Sequence, residues 1–341
     1  SPSSAASDVY KRQIKEFNIS PETVVEEGEE CEKRCVKVDG RKYWVRSDVR
    51  GAIPSLLDQF LSMRRRIKEM LAREYDPRLD AQQKAVKVVA NAMYGYMGWT
   101  GASYYNKSAA ELIAALARDF IKRVRAIIEK MGGDVIYIDT DGIQFTGLDG
   151  DKVVDKVNSE LPLVIEMEYV AKKAIYWAKK KYVHYVDDKI EVKGLEYIRK
   201  DYPPFIRRAQ LEYIREYLHH GIDGAKKIEE KWRERVMRRE IELDDLVIME
   251  QLTKKPDEYE KATKASVAAK MLLEKFGVDL PRGTTLSLVI VKGHGGPTYR
   301  AMPSHMVKIE DVDWSYYVQM FNDVMERTKS PISKPVIKRW F

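Results

Sequence analysis

The segment GDVIYIDTDGIQFTG, residues 133–147, places Asp139 and Asp141 between two short apolar runs. Both runs have the β-branched and aromatic composition of strands, and Thr140-Asp141-Gly142 between them is turn chemistry, so we predict a β-hairpin with both carboxylates at its tip. Like charges this close repel each other unless a cation lies between them or water screens them. Aspartate is common in turns, and a single D-x-D is a weak signal. Carboxylates at such a tip nevertheless suit hard divalent cations such as Mg²⁺.

Composition narrows the class of protein. The 341 residues include 60 Lys and Arg against 53 Asp and Glu, and the net charge of +7 mildly favours a polyanionic partner. No run approaches 18 apolar residues and no secretory signal is visible, so we expect a cytoplasmic protein without a membrane span. Cys31 and Cys35 are too few for a disulfide framework and lack the neighbours of a zinc site.

Helical periodicity begins after Gly51. It predicts one helix over residues 53–74, a break at Asp76-Pro77 and a second helix over residues 79–97, which together form an antiparallel helical hairpin. A third helix is predicted over residues 108–130. Pro21, Gly28 and Gly40 interrupt the segment before residue 48, which has mixed strand and loop character.

The second predicted helix carries a polar face that ends in glycine. Its members recur at helical spacing, while Val88, Val89 and Ala92 turn away from them. The face consists of Lys84, Lys87, Asn91 and Tyr94, followed by Gly95, with Arg64 and Lys68 on the preceding helix as candidates for the same ligand. A stripe ending in an amide, a phenol and glycine suits a bound nucleotide. An ordinary solvated face is the alternative, and it is favoured for the lysines alone.

The first residues, SPSSAASDVYKRQ, are small and polar without periodicity. Residues 8–13 look like the translation of a transposon end used in sequencing libraries. We therefore interpret residues 1–13 as a non-native scar, with the natural chain beginning near Ile14.

Four motifs in order carry a resemblance. KVVANAMYG (residues 87–95), YIDTDG (137–142), KKKY (179–182) and GLEYIRKDY (194–202) resemble a family B DNA polymerase of the archaeal replicative type, from about Ile14 to about Asn322. The resemblance implies an α+β fold with an antiparallel palm sheet, helical-hairpin fingers and a mixed, mainly helical thumb. The implied ranges are palm 14–50 and 105–178, fingers 51–104 and thumb 179–341, without the N-terminal and exonuclease domains.

The resemblance also implies site residues. Asp141 would be a metal ligand with Asp139 as its neighbour, and two Mg²⁺ ions would be the cofactor. Nucleotide (dNTP) contacts would come from Arg64, Lys87, Asn91, Tyr94 and Gly95. Primer-template contacts would come from Lys180, Tyr182, Glu196, Arg199, Lys200, Asp201, Lys254, Thr263 and Lys264. A solvated helical surface is nearly as good an interpretation of any single thumb lysine.

The sequence departs from the family in two places. Ala92 and Met93 stand where the family has serine and often tyrosine, and a small effect on nucleotide packing is expected. The family's first catalytic motif, an aspartate followed by a Ser-Leu-Tyr-Pro-Ser-Ile run, precedes a segment resembling IKEFNISPETV (residues 14–24), where this chain has the predicted scar. We therefore expect the isolated chain to be inactive for lack of that aspartate, while salt-dependent duplex binding survives.

Three other interpretations stay open. The chain could be a natural subunit of a split polymerase, whose partner subunit supplies the missing aspartate. It could instead be an inactive DNA-binding scaffold, although retention of Asp139, Asp141, Lys87 and Asn91 argues against this. A nuclease is a weaker interpretation still, because no further carboxylates lie at recognisable spacing.

The C-terminal KPVIKRWF, residues 334–341, is a candidate sliding-clamp tail that lacks the usual glutamine.

Overall fold

The computed structural model describes residues 3–139, 142–162 and 165–333. The chain divides into two compact units: the first runs through Glu168 and the second begins at Tyr169. The predicted thumb boundary at residue 179 falls ten residues later, inside the second unit. The two divisions differ because strand residues 173–178 hydrogen-bond to the strand that follows residue 179.

The first unit contains five helices and five strands within the described residues. In chain order these are α1 (Ser3–Glu16), β1 (Val24–Val25), β2 (Lys33–Val38), β3 (Arg41–Arg46), α2 (Ala52–Arg73), α3 (Pro77–Gly98), α4 (Lys107–Lys130), β4 (Asp134–Asp139), β5 (Gly142–Thr146) and α5 (Gly150–Glu160). Strand β3 lies between β1 and β2 in an antiparallel sheet, and β4 pairs with β5.

Local capping explains where the helices begin. The Asp76 carboxylate accepts the Arg78 amide at 2.7 Å, and Pro77 occupies the first turn of α3. The Asn106 side chain accepts the Ala109 amide at 3.0 Å at the start of α4. The three predicted helices are confirmed, with boundaries that differ by at most two residues. The predicted hairpin is confirmed as β4 and β5.

Helix α4 joins two hydrophobic cores of the first unit. Its first half, including Leu112 and Ile113, packs with residues of α1, α2, α3 and the β1–β3 sheet. Its second half, including Phe120 and Val124, packs with α5 and with Val135 of β4. The β4–β5 hairpin is therefore anchored through its buried base to the longest helix of this unit.

Helix α1 forms where the sequence shows no periodicity. Ile14 is buried in the core shared with α2 and α4, and the rings of Tyr10 and Tyr94 stack at 4.8 Å. Gln13 is fully buried, and its two amide atoms have no hydrogen-bond partner among the described residues. Tertiary packing therefore supplies the order that local pattern does not predict. The interpretation of residues 1–13 as a scar remains a prediction.

The second unit combines two antiparallel sheets with long helices. Its elements are β6 (Lys173–Ala178), β7 (Lys181–Val186), β8 (Lys189–Lys193), α6 (Pro204–Met237), β9 (Ile248–Gln251), α7 (Lys264–Phe276), β10 (Thr285–Ile290), β11 (Ala301–Pro303) and α8 (Trp314–Ser333). Strand order is β6-β7-β8 in one sheet and β11-β10-β9 in the other. The core is centred on α6 and α8, where Phe205 packs near Tyr317 and Phe321.

Helix α6 is broken at Gly221, whose φ of 73° is left-handed and favours glycine. Of the helices described, none is both long and apolar enough to cross a bilayer.

Candidate nucleotide and nucleic-acid site

The first candidate residue lies at the tip of the β4–β5 hairpin. Asp139 ends β4, is partly buried and pairs in register with Gly142. Two residues earlier, the Tyr137 side chain is buried, which fixes the direction of the strand. Asp141, the predicted metal ligand, lies outside the described residues. The hairpin thus presents Asp139 where the sequence predicted it.

The carboxylate of Asp139 at this tip is chemically suited to Mg²⁺. A carboxylate is the hard oxygen ligand that Mg²⁺ prefers, and Mg²⁺ sites in proteins combine one or two carboxylates with water and substrate phosphates. Within the described part of the chain, no cluster of three or more His, Cys, Asp or Glu side chains could hold a metal ion. Asp139 therefore fits one carboxylate position of such a site.

Most of the polar face of α3 is partly buried, while Lys84 at its start is exposed. Lys87, Asn91 and Tyr94 are partly buried, whereas Val88 and Val89 are 67% and 48% exposed. The buried residues of this helix are Ala90, Met93 and Met97, so the polar stripe borders the core while the two valines face solvent. Lys87 and Asn91 are thus less exposed than on a fully solvated surface, and their contact with a nucleotide stays a prediction.

Asn91 has an unusual environment. Its side-chain carbonyl oxygen is buried and has no hydrogen-bond partner among the described residues. Leaving a buried acceptor unpaired costs about 1–3 kcal/mol, so such atoms are rare unless a ligand or water completes them. Gly95, one turn further on, has open space where a side chain would begin. The packing of this chain alone does not require glycine there.

The positively charged side chains of the α2–α3 helical hairpin differ in their surroundings. The Arg64 side chain is partly buried and its Nε contacts the Gln83 amide oxygen at 3.4 Å, which ties α2 to α3. Lys84 forms an ion pair with Asp80 at 2.6 Å, and the hydrogen bond from Lys84 lowers the pKa of Asp80. Lys87 has no ion-pair partner in the described ranges. Of the two lysines, Lys87 is the one whose charge is not already compensated.

Lys180 and Tyr182 lie in the β6–β7 hairpin of the second unit. Lys180 is exposed in the turn with a left-handed φ of 65°. Tyr182 is only 6% exposed, and its ring stacks on His184. Gly194 also has a left-handed φ, and a Cβ there would lie 2.0 Å from the Lys180 carbonyl oxygen. Glycine at this position therefore permits the close backbone approach that supports the Lys180 turn.

The segment after Gly194 is mixed in character. Glu196 is 4% exposed, and its carboxylate accepts hydrogen bonds from Gln210 at 3.0 Å and Arg327 at 3.2 Å. Burial raises the pKa of Glu196, but the hydrogen bonds from Gln210 and from the Glu196 backbone amide, with the charges of Arg327 and Lys181, outweigh burial and lower the net pKa. Arg199 pairs with Asp201 in a two-point ion pair, and Lys200 is exposed. Burial favours a structural role for Glu196, whereas Lys200 is accessible to a phosphate.

The last three candidates lie in the loop before α7 and at the start of this helix. The Thr263 hydroxyl caps this helix by accepting the Ser266 amide at 3.1 Å, and Lys264 is partly buried in the first turn. Lys254 is exposed, and its backbone amide donates to the Tyr259 hydroxyl at 3.2 Å. The Thr263 hydroxyl is thus engaged in capping, while Lys264 lies in the first turn of α7.

Three residues that order the predicted site residues were not themselves predicted from the sequence. His184 and Tyr259 order Tyr182 and the Lys254 loop respectively, and Gly194 supports the Lys180 turn. Gly194 stands within a motif that the sequence displays. The roles of His184 and Tyr259 depend on contacts that no local pattern indicates.

Comparison with known proteins identifies the family. The sequence model described as DNA polymerase family B matches residues 9–332. The DNA polymerase of Thermococcus gorgonarius is 35% identical over 314 residues, covering 86% of this chain and 40% of that protein. DNA polymerase 2 of Aeropyrum pernix is 34% identical over 325 residues, covering 91% of this chain and again 40% of the relative.

A solved structure agrees with these matches. The family B DNA polymerase from the hyperthermophilic archaeon Pyrobaculum calidifontis superposes with a TM-score of 0.68 at 29% identity, covering 97% of this chain and 44% of that one. The chain thus spans about 40% of the length of the curated relatives it matches. The resemblance carried by the four motifs is confirmed: this chain belongs to DNA polymerase family B.

Proposed function

We propose that this chain supplies part of the polymerising centre of a DNA-directed DNA polymerase, which transfers nucleotides from dNTPs to a primer 3′-hydroxyl. The family match over residues 9–332 carries the proposal. In this assignment β4, β5 and α4 belong to the palm, α2 and α3 to the fingers, and most of the second unit to the thumb. The site of action is the nucleoid in the cytoplasm.

The nucleotide would meet the polar face of α3. Lys87 and Arg64 neutralise the β and γ phosphates, which holds the α phosphorus for in-line attack. Asn91 lies one turn beyond Lys87, and Tyr94 with Gly95 lies beneath the new base pair. The uncompensated charge of Lys87, the unpaired Asn91 oxygen and the open space at Gly95 support this arrangement.

Two Mg²⁺ ions are the proposed cofactor, with Asp139 and Asp141 as protein ligands beside an aspartate from the family's first motif. Bound Mg²⁺ would acidify the primer 3′-hydroxyl and offset charge on the triphosphate. We propose that the 341-residue chain alone is inactive because its sequence lacks that aspartate. Primer extension by the purified chain, abolished by Asp141→Ala, would overturn this part of the proposal.

Duplex binding tests the assignment without requiring catalysis. We expect fluorescence anisotropy with a labelled primer-template to show binding that weakens steeply between roughly 50 and 200 mM salt. Substitution of Lys180, Lys254 or Lys264 by alanine should each reduce the salt slope by about one, if each meets one phosphate. Lys84→Ala is the matched control, because Lys84 is exposed but already paired with Asp80. Salt-independent binding, or equal slopes in all four variants, would contradict the assignment.

Two possible protein partners extend the proposal: a separate polymerase subunit and a sliding clamp. The split-gene hypothesis is tested by reading the genomic DNA upstream of the Ile14 codon: an in-frame aspartate with a Ser-Leu-Tyr-Pro-Ser-like run rejects it, and a start codon without that motif supports it. The sliding-clamp hypothesis concerns residues 334–341, which lie outside the described residues. Clamp capture that is lost on deletion of this tail would support it.

A further inference from the structure

One face of the β6-β7-β8 sheet carries a cluster of aromatic rings around Tyr182. Tyr182 and His184 are two residues apart on β7, so both point to the same face. Their ring centroids are 4.6 Å apart with an interplanar angle of 26°, which is a stacked arrangement. The register pairs Tyr176 of β6 with Tyr182, and Ala174 with His184. On the β6 side, a tyrosine thus lies beside Tyr182 and a small residue lies beside His184.

The imidazole of His184 is held by hydrogen bonds at both nitrogens. Its Nδ1 lies 2.7 Å from the Tyr169 hydroxyl, and its Nε2 lies 3.1 Å from the Tyr176 hydroxyl. His184 is 2% exposed, and burial lowers its pKa to about 4. The ring is therefore neutral near pH 7, with one nitrogen donating and the other accepting. Two bonds from separate segments fix the plane of the ring.

The opposite face of β7 is fixed independently. Val183 and Tyr185 point into the main core of the second unit, so the strand cannot shift to compensate for a change at His184.

The nearest charged side chain on β8 is that of Glu191, which is the register partner of His184. Glu191 is exposed, and burial alone accounts for the lowered His184 pKa.

We propose that His184 is a positioning residue, which holds the Tyr182 ring in the orientation that meets primer-template DNA. The inference rests on the proposed function, in which Tyr182 touches the minor groove. Because Tyr182 is only 6% exposed, just a small part of its ring or hydroxyl is accessible. A modest rotation of the ring would withdraw that part, so the stacked partner determines whether the contact forms.

A double-mutant cycle on duplex affinity tests this inference in the full chain. His184→Ala should weaken primer-template binding by about two- to tenfold, the range for loss of one aromatic pair. In the Tyr182→Ala background the same substitution should have no further effect, because His184 acts through Tyr182. Val183→Ala is the matched control: it disturbs the same strand on the other face and should leave affinity unchanged. Additive effects of the two substitutions would overturn the proposal.

A conservative variant and an NMR measurement on the DNA-free chain complete the test. His184→Phe keeps a ring in the stack and should restore most of the affinity lost in His184→Ala. With 3-fluorotyrosine incorporated, the ¹⁹F resonance of residue 182, assigned by its loss in Tyr182→Phe, should shift in His184→Ala and stay in place in Val183→Ala. An unmoved resonance overturns the positioning role. A shifted resonance with Tyr182→Ala affinity unchanged overturns the DNA contact of Tyr182, while the effect of His184 on the ring stands.

Discussion

Helix α3 and the β6-β7-β8 sheet differ in whether their buried polar groups have hydrogen-bond partners. At α3 the Asn91 carbonyl oxygen is buried without a partner among the described residues, and neighbouring α1 buries the whole Gln13 amide in the same condition. In the sheet and the segment after it, both nitrogens of His184 and both oxygens of Glu196 are engaged. A paired network specifies one arrangement, whereas an unpaired buried group indicates a missing ligand or a misfit residue.

The largest expected effect comes from breaking the paired network. Gln210 is fully buried, accepts the Tyr197 amide at 2.8 Å and donates to Glu196 and Thr328. Gln210→Leu should lower the free energy of unfolding by about 3 kcal/mol or more, because a buried carboxylate loses a donor. Urea unfolding measures this, and Thr328→Val, which removes one acceptor, should cost less. A loss below about 1 kcal/mol would show that the network is not decisive.

Acidification should weaken the sheet through His184. The folded pKa of about 4 lies below the unfolded value of 6.5, so between these pH values the unfolded chain binds the proton more readily. Stability is therefore full above pH 6.5 and falls as pH is lowered toward 4, by on the order of 2–3 kcal/mol. Hydrogen exchange of β7 peptides measures it. His184→Phe should remove this component; an unchanged pH slope would place its origin elsewhere.

Removing an unpaired amide should act in the opposite direction. Gln13→Leu is expected to raise the free energy of unfolding by about 1–3 kcal/mol, because leucine has no polar atoms to leave unsatisfied at this buried position. Tyr213→Phe is the comparison in the second unit, where the buried hydroxyl also has no partner among the described residues. Destabilisation by Gln13→Leu in urea unfolding would mean that the Gln13 amide is satisfied in solution.

Asn91→Leu should combine the smallest change in stability with weaker nucleotide binding. We expect a gain of about 1 kcal/mol in the chain alone, because one buried acceptor is removed. We also expect weaker dNTP binding, measured by isothermal calorimetry with primer-template and Mg²⁺ present. Gln13→Leu is the control, since it should leave nucleotide affinity unchanged. Equal nucleotide affinity in both variants would mean that the Asn91 side chain does not contact the bound nucleotide.

The motifs predicted the candidate site residues, but not how exposed each of their side chains is. The valines of α3 are apolar and exposed, and its polar face is partly buried, which helical periodicity alone does not reveal. Glu196 belongs to a recognisable motif, yet the structure holds its carboxylate inside the second unit. The identity of a motif residue and its accessibility are separate properties, because accessibility depends on which other elements cover it.

What the sequence by itself determined is local: helix boundaries capped by Asp76 and Asn106, the β4–β5 hairpin, and the order of the family motifs. Caps and turns act within a few residues, so their signals lie side by side in the chain. Only the tertiary structure decided which polar groups are paired. Gln210 and Thr328 stand 118 residues apart, and Tyr169 reaches His184 across a strand. Such pairs form only after the core has brought distant segments together, and no local pattern encodes them.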